Sequence, residues 1–228
     1  MELTPLQMAA IPLPLILAIV FHEVAHGWVA RALGDHTAHD AGRLTLNPLR
    51  HVDPFGTVIL PGFLALMKAP VFGWAKPVPV NAMRLNNPRR DMMIVAAAGP
   101  GSNFVLAAIS AVLLGLVTRL VSQPVEGVGE WLVLSLFFFI QFNVFLGLFN
   151  LLPLPPFDGS HIVQGLLPLP AARAYARLRP YGFPLLFLII LVIPYLVPEW
   201  DLIEAVVGPP VNWAIALFLD LAAFVAGK

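Results

Sequence analysis

Long apolar stretches alternate along the chain with short polar ones, and five of them, Met8–Leu33, Met92–Leu120, Trp131–Leu152, Tyr181–Val197 and Leu202–Val225, carry most of its length. A helix rising 1.5 Å per residue needs about 20 apolar residues, and not fewer than about 17, to cross some 30 Å of hydrocarbon. The pattern therefore predicts five transmembrane helices. The first is expected to be a retained span and not a cleaved leader, because only Glu2 precedes it where a leader has basic residues, and because it carries His22, Glu23 and His26 within it. A sixth apolar stretch, Pro54–Ala69, is shorter and contains Gly56, Pro61 and Gly62. Its Thr57-Val58-Ile59-Leu60 reads like a strand, so it is expected to be re-entrant or to lie on the membrane face under cover of other protein.

Around that stretch, Ala41–Pro88 alternates brief apolar runs (Leu44–Leu46, Val58–Leu60, Val71-Phe72, Val78–Val80) with Asn, Pro and Gly. Such punctuation predicts a small sheet. The expected fold is thus an all-α membrane core with a membrane-associated β element at about residues 41–88. The chain reads as one integral membrane domain, residues 1–228, with a catalytic core at about 8–165 and accessory spans at 181–197 and 202–225.

Composition agrees: 59% of the 228 residues are hydrophobic and 11% charged, against about 25% charged in an average soluble domain. The 13 basic and 13 acidic residues cancel, leaving no basic face for nucleic acid. Cysteine is absent, which excludes disulfides, thiolate nucleophiles and Cys-ligated metals. With five spans and an external N-terminus, only Arg119 of the 13 Lys and Arg residues falls outside, as the excess of basic residues in cytoplasmic loops requires. A sixth span would break that asymmetry. The C-terminus is then cytoplasmic, and compactness suggests a bacterial or archaeal plasma membrane.

His22-Glu23-Val24-Ala25-His26 lies inside the first span, about nine residues before Arg31 and so roughly 13 Å from the cytoplasmic helix end. Residues four apart share a helical face, so both imidazoles can converge on one metal ion while Glu23 reaches water beside it. The alternative, polar side chains joining helices, is disfavoured by the cost of three ionisable groups at membrane depth. A hydrolytic zinc site takes a third protein ligand. Asp158, in the proline-broken Asn150–Gly159 that closes the third span, is the best candidate, with Gly159 allowing a sharp turn; the competing reading is an N-cap for a helix at Ser160–Leu167. His161 is a candidate supporting residue or simply solvated. Gly99, Gly101 and Ser102 allow close helix approach and Pro100 bends the helix. Asn103 is a candidate catalytic donor to a substrate carbonyl or developing oxyanion. Gln141 and Asn143 are expected to hydrogen-bond between helices, His51 and Asp53 lack metal spacing, and His36 and His39 are expected in solvent.

Three separated motifs, His-Glu-x-x-His at 22–26, Gly-Pro-Gly-Ser-Asn at 99–103 and Asn-x-x-Pro to Asp-Gly at 150–159, make the chain resemble the site-2 proteases. These are the intramembrane zinc metalloproteases, peptidase M50, and the likeness is to their short forms without PDZ or CBS domains. The resemblance covers about residues 10–165. It implies one zinc ion per chain, with His22, His26 and Asp158 as ligands, Glu23 as general base and Asn103 near the active site. It also implies cleavage of peptide bonds within or near transmembrane segments of membrane protein substrates, that is, regulated intramembrane proteolysis. The competing class is a metal-transporting or metal-sensing membrane protein using the same ligands. It has no need of Glu23, and the sequence shows no second ligand set.

Overall fold

The computed structural model describes residues 4–67, 71, 73–120, 126–197 and 202–228. Glu2, Phe72 and the end of the Pro54–Ala69 stretch, for which the sequence sets expectations, lie outside them. Thr4 caps α1 (Pro5–Ala10) and, after one bent residue, α2 (Pro12–Ala32) continues the run. A short α3 (Thr37–Asp40) and a turn at Pro48–Arg50 follow, then a widened helical turn, Pro54–Ile59, that leads into α4 (Leu60–Leu66). Next come α5 (Pro88–Leu120) and α6 (Val128–Asn150), the two helices that pack most extensively on each other. Beyond them lie α7 (Asp158–Leu166), α8 (Leu169–Ala176), α9 (Gly182–Phe187), α10 (Ile193–Leu196) and α11 (Leu202–Ala226).

Five helical runs are long and apolar enough to cross a membrane: Pro5–Ala32, Pro88–Leu120, Val128–Asn150, Leu169–Leu196 and Ile203–Ala226. The protein is an integral membrane protein. The fourth run is interrupted at Arg179–Tyr181 and widened at Leu188–Val192, where Pro180, Pro184 and Pro194 each remove a helical donor.

α5 is the central helix, packed against α2, α6, α7 and α11. Its C-terminal half joins α6 and α11 through Ala107, Ala111, Leu114, Ile140, Val144, Val211, Ala214 and Ala222, all buried. Small residues let the backbones approach, since in lipid packing and not hydrophobic exclusion holds helices together. At Gly115 a Cβ would press on the Ala222 carbonyl and Val225.

The β element expected at residues 41–88 is not formed: the described residues contain no strand. Pro54–Leu66 is helical, started by Asp53, whose carboxylate accepts the Phe55 and Gly56 amides at 3.1 and 2.6 Å. The chain from Gly73 to Asn81 is extended but unladdered. Its amides go in turn to separate partners: Trp74 to the Gly56 carbonyl (3.1 Å), Lys76 to the His51 carbonyl (2.8 Å), Val78 to the Glu23 carboxylate (2.8 Å) and Asn81 to Asp35 (2.6 Å). Pro77 and Pro79 have no N–H, so one edge is spent on scattered anchors and the other is short of donors. Apolar alternation reports which residues are half-buried, whereas a sheet also requires a neighbouring strand in register.

Candidate metal centre

His22 and His26 lie one turn apart on α2 and are only 7% and 9% exposed. Each ring is fixed through Nδ1. His26 Nδ1 lies 2.7 Å from the Val95 carbonyl, which can only accept, so Nδ1 carries the proton. His22 Nδ1 lies 2.6 Å from Asn103 Oδ1. The Asn103 amide nitrogen donates to Asn143 Oδ1 at 2.8 Å and to the Ala18 carbonyl at 3.3 Å, so its oxygen accepts and His22 Nδ1 is also protonated. Both Nε2 atoms are left as lone pairs, 3.1 Å apart.

Asp158 is the first residue of α7 and does not cap it; the capping position is Phe157, which makes no side-chain cap bond. Its carboxylate is free to turn inward, and Oδ2 lies 3.2 Å from His22 Nε2 and 3.3 Å from His26 Nε2. The positive end of α7 favours a carboxylate there. Gly159 is needed for close approach and not for a special φ, because a Cβ there would collide with the Leu151 and Leu152 carbonyls. Gly99 serves the same purpose on α5, where a Cβ would strike both imidazoles.

Three lone-pair atoms thus face one another in a buried space, and no hydrogen-bond donor reaches Asp158 Oδ2. Such a cluster repels itself unless positive charge sits among its members. A proton satisfies one pair; a divalent ion satisfies all three. Ligands about 2.0–2.1 Å from a tetrahedral zinc stand about 3.3–3.4 Å apart, and the three observed separations run from 3.1 to 3.3 Å. The set of two neutral imidazoles and one carboxylate suits zinc. Among the described residues this is the group of His and acidic side chains placed to hold a metal ion.

Glu23 is half-buried beside the cluster. Its Oε2 accepts the Val78 amide at 2.8 Å, and no described residue bonds to Oε1. Gly27, one turn further along α2, permits this, since a Cβ there would meet Leu44 and Val78. The remaining residues named from sequence are dispersed. His161 sits 3.2 Å from an Arg179 nitrogen, and burial together with that guanidinium pushes its imidazole below the ordinary range. His51 is 2.8 Å from the Thr45 carbonyl, Asp53 caps the widened turn, and His36 and His39 are exposed. Asn143 does bond across helices, to Asn103.

Asp35 was not singled out by the sequence and is fully buried. Burial alone would raise its carboxyl, but the Thr37 hydroxyl and the Asn81 and Thr37 amides outweigh it and hold it below the usual carboxylate range. It ties the end of α2 to the segment that lies over Glu23. The signal was available: an Asp two residues before Thr, just past a helix end, is a side-chain-capped turn.

Comparison with known proteins bears on the same residues. The relatives include YwhC of Bacillus subtilis, 42% identical over 188 residues that cover 82% of each chain. They also include Rip2 of Mycolicibacterium smegmatis, 32% identical over 182 residues that cover 79% of this chain and 66% of that protein. Both bear the name "Putative zinc metalloprotease". No solved structure matches significantly. The sequence model of peptidase family M50 matches residues 10–131 and 123–193, a range that takes in α2, α5, α6 and α7 with every side chain of the cluster, and the chain belongs to that family.

Proposed function

We propose that the protein is an intramembrane zinc metalloprotease that hydrolyses peptide bonds within or near transmembrane segments of other membrane proteins. The observation that carries this reading is the meeting of His22 Nε2, His26 Nε2 and Asp158 Oδ2 as donorless atoms beside Glu23, with both histidines and Glu23 on a helix apolar enough to span a bilayer. Those three residues would hold one zinc ion, which supplies Lewis acidity, lowering the pKa of water and polarising a carbonyl. Glu23 takes the proton from the attacking water at Oε1 and delivers it to the leaving amine, while the Val78 amide fixes its other oxygen. Asn103 orients His22: it is fully buried and both its amide hydrogens are engaged, so it acts behind the ligand and not on the substrate. A metal-transit role gains no support, because no second ligand cluster lies along the helices among the described residues.

The membrane proteomes of cells carrying wild-type protein and its Glu23→Gln variant test the substrate class. New peptide termini within membrane helices are expected with wild-type protein alone. Termini confined to soluble domains would overturn the intramembrane assignment.

The proposed orientation has the N-terminus outside and the C-terminus and active site toward the cytoplasm, in a bacterial or archaeal plasma membrane. The basic-residue asymmetry and the bacterial relatives support it. Since the chain has no cysteine, single cysteines report topology cleanly. Glu126→Cys, beside Gly127 whose φ of +63° resists a side chain, should be labelled by an impermeant thiol reagent on intact cells. Met83→Cys and Ala174→Cys should label only after permeabilisation. Labelling of Met83→Cys on intact cells would mean that Pro54–Leu66 and its flanks cross the bilayer.

A further inference from the structure

A cavity opens where the start of α5 meets α7 and α8, lined by none of the three side chains of the metal centre. It has a volume of about 310 Å³ and is lined by Arg89, Arg173, Arg179, His161 and Gln164 among others, with no acidic residue. Three guanidinium groups share one small cleft, and none has a carboxylate partner among the described residues; the ion pairs there involve only His22, His26, His39, Arg84, Asp40 and Asp158.

Neutral acceptors aim two of the three without cancelling their charge. Arg89 donates to the Leu167 carbonyl at the end of α7. Arg179 donates to Gln164 Oε1 at 2.5 Å and lies 3.2 Å from His161 Nδ1. Arg173 makes no hydrogen bond or ion pair with any described residue. A guanidinium has five donors, so most of those in the cleft remain open to a ligand. Among the described residues the acidic group that acts on His161 is Asp158, and it is committed to the histidine pair. Converging, oriented and uncompensated arginines are the donor set for a phosphate group.

The rim of the cleft identifies which phosphate. Leu169 lines it and is 56% exposed, and Leu166 and Met83, 71% and 83% exposed, follow its lining residues Gly165 and Ala82 in the chain, next to the ends of helices long enough to span a bilayer. Apolar side chains beside a basic pocket at a membrane helix end suit a molecule that is a phosphate at one end and hydrocarbon at the other. The volume is at the small end of ligand pockets, enough for a headgroup while the acyl chains lie outside on the apolar rim.

We propose that this cleft binds the phosphate headgroup of an anionic phospholipid, pinning α7, the helix that presents Asp158, to the membrane surface. The test uses the purified full chain in mixed micelles containing either phosphatidylglycerol or phosphatidylcholine of the same acyl chains, with bound lipid counted by native mass spectrometry. Wild-type protein is expected to prefer phosphatidylglycerol. Arg173→Gln, which has no hydrogen bond or ion pair with a described residue to lose, should weaken that binding about fivefold, and the triple Arg89→Gln, Arg173→Gln, Arg179→Gln should abolish the preference. Arg119→Gln, which removes the same charge elsewhere, should leave it intact. Equal binding of the two lipids, an unchanged preference in Arg173→Gln, or an equal loss in Arg119→Gln would overturn the proposal. Full displacement of the lipid by millimolar glycerol 3-phosphate would also overturn it, showing a site for a water-soluble phosphate.

Discussion

Purified Glu23→Gln protein is expected to keep its zinc and to lose proteolysis by about 10²- to 10⁴-fold, the usual contribution of a positioned general base. The amide preserves the size of the side chain, and its oxygen can still accept the Val78 amide as Glu23 Oε2 does at 2.8 Å. The segment over the site should therefore stay in place. What the variant cannot do is take a proton from water. Zinc content is read by inductively coupled plasma mass spectrometry, and the rate on a single-span membrane substrate. Cleavage at the wild-type rate would remove Glu23 from the mechanism. Loss of zinc along with activity would instead make Glu23 a structural support of the ligands.

Asp158→Ala has the opposite signature. It deletes the one cluster atom that comes from outside α2, leaving two imidazoles that cannot by themselves complete a hydrolytic zinc site. Zinc affinity should fall by more than the ~10–100-fold lost when a hydrogen bond supporting a ligand is removed, and activity should fall with it. The variant should also lose most of any thermal stabilisation that added zinc confers on the wild-type protein, because binding to the folded state alone raises stability. This second readout needs no substrate. Full zinc occupancy after the substitution would place the third ligand elsewhere. His161 is the first alternative on α7, although in the structure it faces Arg179 at 3.2 Å.

Much of the architecture and of the metal cluster could be read along the chain because it depends on local regularities. Five apolar runs correspond to five helical runs, since at the membrane both length and composition are set by the thickness of the bilayer. The separation of His22 and His26 by four residues places them on one face of any helix, whatever surrounds it. The Asp-Gly after a proline-broken span was a weaker signal, and it too led to a residue that the fold brings within 3.3 Å of both imidazoles.

Other features rest on contacts between residues far apart in sequence, which local pattern does not report. The Val58–Leu60 and Val78–Val80 runs carry strand-like residues, yet one became helix once Asp53 capped it and the other was drawn out singly by Glu23 and Asp35. Whether an extended segment becomes a strand is decided by what lies beside it. Asn103 appeared from sequence as a donor facing substrate; only the positions of Ala18, Asn143 and His22 around it show its donors engaged and its oxygen setting the tautomer of His22. In the same way Arg89, Arg173 and Arg179 are three scattered charges along the chain, and only the packing of α5 against α7 and α8 makes them one cleft. Apolar length and helical spacing are properties of a segment, so the sequence by itself determined the spans and the paired histidines. Hydrogen-bond partners and converging charges are properties of the packed molecule, and tertiary structure alone decided them.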